Sequence, residues 1–157
     1  MAPSPSPSTR TKVFISYSHK DKKWLERLQQ HMRPLERDGL LDRWDDTHIK
    51  PGQIWHDEIQ RDLETARVAV LLVSADFLAS DFIAKDELPP LLAAAKDQGT
   101  FILPVIVSAS LFSDTPSLSQ FQAVNTPDRP LNGMSRADQE KFLVQVAKTI
   151  RDTIHPQ

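Results

Sequence analysis

Glu87 is the residue of this chain best placed to do chemistry. It follows Val68 to Val73, six consecutive apolar residues, in a stretch that also carries Ser74, Phe77, Ser80, Asp81 and Phe82. Such a run is what a strand buried on both faces of a parallel sheet looks like. In an open α/β sheet ligands sit outside the carboxyl ends of the strands, so a carboxylate beyond this one is a candidate working group. The alternative is that Glu87 only favours the positive end of the helix that starts beside it. Ser16, Tyr17 and Ser18 end an earlier strand and are expected to line the same site, placed there by the strand end itself.

Three other chemistries fail on residue type. A receiver domain of a signalling relay needs acidic residues at the end of the first strand and a phosphate-accepting Asp at the end of the third, but these ends read Ser16-Tyr17-Ser18 and Val73-Ser74. A dinucleotide fold of Rossmann type needs a glycine-rich first turn, and none of the four glycines lies there. The five histidines, His19, His31, His48, His56 and His155, show no close ligand spacing and no cysteine accompanies them, so no metal site is expected.

The elements that must position these residues follow from periodicity. Met1 to Arg10 alternates proline with small polar residues and reads as a disordered leader. Val13 to Ile15 forms a first strand, and Trp24, Leu25, Leu28, Met32 and Leu35 the apolar stripe of a first helix. Leu40 to Trp44 is predicted as a short edge strand, and Asp45 to Gln53 as a polar loop built around Pro51-Gly52. Trp55, Ile59, Leu63 and Ala66 mark a second helix leading into the central strand. Leu88, Leu91, Leu92 and Ala95 mark a third helix, with Pro89 and Pro90 in its first turn, where proline is tolerated. Phe101 to Val107 is a further buried strand, in which Pro104 is expected to cause a bulge or mark the end. Ser108 to Gln120 reads as a loop with a short helix, and Phe121 to Asn125 as a last edge strand. Ser135 and Asp138 suggest the start of a final helix with Phe142, Val146, Ile150 and Ile154 on one face. The alternation predicts a flavodoxin-like, doubly wound α/β sheet of about five parallel strands with helices on both faces, in one domain over residues 11–155.

Composition agrees with one ordinary globular domain: 157 residues, 39% hydrophobic and 25% charged. That length buries roughly two-thirds or more of the unfolded chain's surface. A balance of 19 basic and 21 acidic residues, net charge -2, gives no reason to expect nucleic acid or a membrane surface as partner. The apolar runs are shorter than the ~20 residues of a membrane span, and the N-terminus lacks a signal peptide's apolar core. With no cysteine in the chain, a cytoplasmic location is expected.

Taken together, Phe14-Ile15-Ser16-Tyr17-Ser18, the Pro51-Gly52 loop, Ser74, then Phe77, Ser80 and Glu87-Leu88 resemble the Toll/interleukin receptor (TIR) domain family. The resemblance runs from about Thr11 to Ile154, and the first segment is specific in combination with the Pro-Gly loop. The family's third box, a Phe-Trp pair near the last helix, is absent. The spacing from Asp45 to Gly52 and the sequence Glu87-Leu88-Pro89 look more like prokaryotic members than animal receptors.

The resemblance implies one of two functions. Some members are noncatalytic modules that bind other TIR domains; others cleave NAD+ at its nicotinamide–ribose bond, with NAD+ as substrate and no further cofactor. In the enzymes a Glu on the third helix is catalytic, which maps onto Glu87. The resemblance also implies Trp55 and Phe82 as aromatic substrate contacts, and Asp45, or its neighbour Asp46, as a contact to a ribose hydroxyl; Trp55 serves equally well as a helix-face core residue. Ile49, Lys50, Pro51 and Gly52 correspond to a loop through which copies self-associate, completing a neighbour's site. The expected reading is a prokaryotic-type NAD+ glycohydrolase acting in defence signalling, with a sensor domain or partner outside this chain.

Overall fold

In the computed structural model the described residues are 11–45, 61–80 and 88–156, with backbone alone for 43–45. Trp55, Ile59, the Pro51-Gly52 loop, Phe82, Glu87 and the leader lie outside them. The order is β1 (Lys12–Ser16), α1 (Lys22–Arg37), β2 (Asp42–Asp45), a helical segment at 61–65, β3 (Ala66–Val73), α2 (Ala75–Leu78), α3 (Leu88–Asp97), β4 (Phe101–Ile106), α4 (Pro116–Ser119) and α5 (Arg136–Ile154).

Among the described residues four strands form one sheet in the order β2-β1-β3-β4, every pair parallel. Side chains alternate across a strand, and each face of this sheet is covered. Val13, Ile15, Val68, Val70, Leu72, Leu103 and Val105 pack with Leu25, Leu28 and Met32 of α1 and Leu143, Val146, Ala147, Ile150 and Ile154 of α5. Phe14, Ala69, Leu71, Val73, Ile102 and Ile106 pack with Leu88, Leu92 and Ala95 of α3 and with Phe77. This is the doubly wound parallel architecture. Each fully buried Val, Leu, Ile or Phe contributes about 1.5–3 kcal/mol.

Two glycines end the helices that carry the chain back to the sheet. Gly39 and Gly99 have φ of 72° and 99°. Beside them Leu40 N–H donates to Leu35 C=O at 2.9 Å and Thr100 N–H to Ala95 C=O at 3.0 Å. This closure needs a left-handed residue, which glycine supplies without a Cβ clash. At the amino end of the sheet Lys12 Nζ lies 2.6 Å from the buried Asp62 Oδ1.

The helices α1 and α5 are tied by charge as well as by packing. Arg27 Nη2 and Nε donate to Glu140 Oε1 at 2.5 and 3.2 Å, and His31 Nε2 lies 2.8 Å from Oε2. These partners hold the Glu140 carboxyl below its ordinary value, the Arg27 hydrogen bonds first and that of His31 second.

The outer edge of β4 corrects two expectations. Phe121 to Asn125 is not a strand; its one backbone bond to the sheet runs from Val124 N–H to Pro104 C=O at 2.9 Å. The edge is closed instead by a side chain. Asn125 Oδ1 accepts from Ile106 N–H at 2.8 Å, and its Nδ2 donates to Ile106 C=O and Arg129 C=O, both at 2.9 Å. Nor does Pro104 break β4: the pairing to β3 runs without a bulge from Val68↔Phe101 to Val73↔Ile106. Pro104 C=O faces the outer edge, as would the N–H it lacks, so the ladder to β3 loses no bond.

Two outcomes follow from these contacts. Asn125→Ala leaves both Ile106 groups unpaired and should lower stability by about 1–3 kcal/mol, measured by urea unfolding. Glu140→Gln should be less stable than the parent at neutral pH, by about 1 kcal/mol or less for so exposed a pair. A lowered folded pKa means stability present above the ordinary value and lost as pH falls through the folded one. The gap between the two proteins should therefore close below about pH 4.5, the ordinary value.

Candidate functional site

The sheet order reverses between β1 and β3, since β2 lies on one side of β1 and β3 on the other. A crevice at the carboxyl ends of such a pair is where open α/β sheets bind ligands. Register places Ser16 opposite Leu71 there, three residues before Ser74. Asp45 closes β2 opposite Ile15, so its backbone reaches the same end of the sheet.

Of the predicted lining, Ser16 is buried at 8% exposure, and Tyr17, at 4%, packs within the core, its ring edge-on to His19 at 5.7 Å between centroids. Ser18 is half-buried and its Oγ accepts from Lys20 N–H at 3.3 Å, starting the short turn His19–Asp21. Ser16 and Tyr17 thus present little surface, while Ser18 shapes the loop that follows. The side chain of Asp45, together with Trp55, Phe82, Glu87, Ile49, Lys50, Pro51 and Gly52, lies outside what is described.

The structure brings forward a pair that sequence reasoning passed over. Asp21 is the N-cap residue of α1, yet its side chain makes no capping hydrogen bond. An Asp in that position ordinarily accepts from a backbone N–H of the first turn, worth about 1 kcal/mol. Here its Oδ2 instead accepts from the Ser74 hydroxyl, 53 residues away in sequence. Ser74 is 2% exposed, and its Oγ accepts in turn from Phe77 N–H at 3.0 Å, capping α2. The chain leaving β1 and the chain leaving β3 are therefore locked together across the crevice. The sequence signal available was modest: an Asp five residues past one buried strand and a Ser one residue past another.

Burial raises the Asp21 carboxyl above its ordinary value; the Ser74 hydrogen bond pulls it down, and the nearby Asp76 charge adds to the rise. Lys20 Nζ sits 3.7 Å from Asp76 Oδ1, both well exposed. Among the described residues Ser74 is the one donor that meets the Asp21 carboxylate.

Beside α2 an apolar hollow of about 560 Å³ is lined by Ala75, Leu78, Ala79, Ala109, Ser110 and Leu111. Leu111 is 70% exposed. A hollow of similar size, about 580 Å³, lies along Gly99 to Leu103, at the amino end of β4 and away from the crevice. Among the described residues no helix is long and apolar enough to cross a membrane, and no three His, Asp or Glu gather as a metal site would require.

For an acid with a raised folded pKa, the folded state holds the proton over a window where the unfolded state has lost it, so stability falls as pH rises through that window. Relative to Asp21→Asn, the parent should gain stability as pH drops from above the folded pKa of Asp21 to its ordinary 3.8. Paired urea titrations across that range measure the difference directly.

The model of the TIR domain family matches residues 13–143. An uncharacterized protein of Sinorhizobium fredii, y4lF, is 32% identical over 140 residues, covering 89% of this chain and 42% of that protein. The chain thus spans less than half the length of this relative. Among solved structures, the TIR domains of the activated Roq1 resistosome, which directly recognizes the pathogen effector XopQ, superpose with a TM-score of 0.52 at 16% identity, over 88% of this chain and 84% of that one. The RPS4 and RRS1 TIR domain heterodimer superposes with a TM-score of 0.53 at 16% identity, over 90% and 98% of the two chains. At such identity these two likenesses concern the fold. With the family model spanning most of the sequence and the parallel sheet agreeing, the chain belongs to the TIR domain family.

Proposed function

We propose that this TIR domain is an NAD+ glycohydrolase with Glu87 as its catalytic carboxylate. The observation that carries the reading is Glu87 itself, an acidic residue immediately before α3, which starts at Leu88, in a chain of this family. In the reaction the bond from ribose C1′ to the nicotinamide nitrogen breaks, and its electron pair leaves with neutral nicotinamide. The ribose passes through an oxocarbenium-like state, which a carboxylate near the ring stabilises. Water then adds at C1′ and releases a proton, giving ADP-ribose; attack by a group of the same molecule gives a cyclic form. Since nicotinamide departs uncharged, no strong general acid is required. The apolar hollow beside α2 offers a wall on which a planar ring can pack.

Self-association through Ile49, Lys50, Pro51 and Gly52 makes activity depend on concentration, as suits a cytoplasmic defence effector whose sensor lies in another domain or protein. The second reading is a noncatalytic module that binds other TIR domains; two of the solved structures that share this fold are a heterodimer and a resistosome.

The deciding experiment incubates the purified domain, dilute and concentrated, with NAD+ and follows nicotinamide release. Release should rise more steeply than protein concentration and fall by about 10²-fold or more in Glu87→Gln. No release from folded protein at any concentration would leave the interaction module. Release unchanged in Glu87→Gln would move the chemistry elsewhere.

A further inference from the structure

We infer that Asp21 is a substrate-binding residue whose free carboxylate oxygen accepts a hydrogen bond from a ribose hydroxyl of the ligand. The inference rests on the NAD+ reading for the identity of the sugar, and on geometry for the residue. Asp21 stands at the point where the strand order reverses, its carboxylate half-buried at the mouth of the crevice. It forgoes the helix cap that its position offers. The Ser74 hydroxyl occupies Oδ2, fixing the carboxylate's orientation, and among the described residues no donor meets Oδ1. The anchor is rigid, because Ser74 is itself buried and held by Phe77 N–H at 3.0 Å.

A held carboxylate with one oxygen engaged by Ser74 and the other open is suited to a neutral hydroxyl donor. Asp76 adds a second negative charge nearby, partly offset by Lys20, and disfavours a phosphate at this spot. The sugar, not the pyrophosphate, therefore belongs beside Asp21. In this role Asp21 binds and orients, and it takes no part in breaking the glycosidic bond.

Calorimetric binding of ADP-ribose and of its single-deoxy forms, each lacking one ribose hydroxyl, tests this on the parent, Asp21→Asn and Ser74→Ala, with thermal melts confirming folded protein. Asp21→Asn should weaken ADP-ribose about tenfold, the loss expected for one hydrogen bond to a charged acceptor. One deoxy form should bind the parent about tenfold more weakly and lose nothing further in Asp21→Asn, the signature of a shared contact. Ser74→Ala, which keeps the carboxylate but frees it, should show a smaller loss for the hydroxyl-bearing ligand alone. Equal weakening of every ligand by Asp21→Asn, no weakening of any, or no binding of ADP-ribose to the parent would each overturn the inference. Binding that depends on Asp21 without nicotinamide release would leave this contact standing and remove the glycohydrolase reading.

Discussion

The structure depends on β3 being buried on both faces and paired on both edges. Val68, Val70 and Leu72 pack toward α1 and α5, while Ala69, Leu71 and Val73 pack toward α3, all at 1% exposure or less. A buried backbone must find its hydrogen bonds within the protein, so β1 and β4 have to flank it in register. That places the end of β3 where it cannot move without dismantling the core. Ser74, one residue further, inherits this rigidity and becomes a fixed point from which the crevice is built.

Asp21 reaches across to that fixed point. Its carboxylate exchanges a local helix cap for a partner on another strand, and burial makes its charged form costly. Local propensity would have chosen the cap. The tertiary contact wins because Ser74 is immobile and its hydroxyl proton needs an acceptor in a buried setting. Departures of this kind from the locally preferred arrangement concentrate at functional or strained sites.

The outer edge of β4 shows the same competition resolved differently. Phe121 to Asn125 carries the composition of a strand, yet a ladder cannot extend along a partner whose Pro104 offers no N–H. The Asn125 amide, which has both a donor and an acceptor, takes the place of a peptide group opposite Ile106. One side chain closes an edge that an open strand would leave ready for unwanted pairing.

The sequence by itself determined the parallel sheet, the long helices and the family, because each rests on a local signal: runs of apolar residues, a period near 3.6, a short segment such as Phe14-Ile15-Ser16-Tyr17-Ser18 together with a Pro-Gly pair. It also marked the strand ends as the candidate site, since Ser16 and Ser74 are placed by the strands that precede them. Only the tertiary structure decided that Tyr17 packs within the core, that Asn125 replaces a fifth strand, and that Asp21 meets Ser74. Each of these depends on a partner dozens of residues away or on the depth of a core. A hydrogen bond across such a separation leaves no periodicity in the sequence; it exists only once the sheet has brought its two ends together.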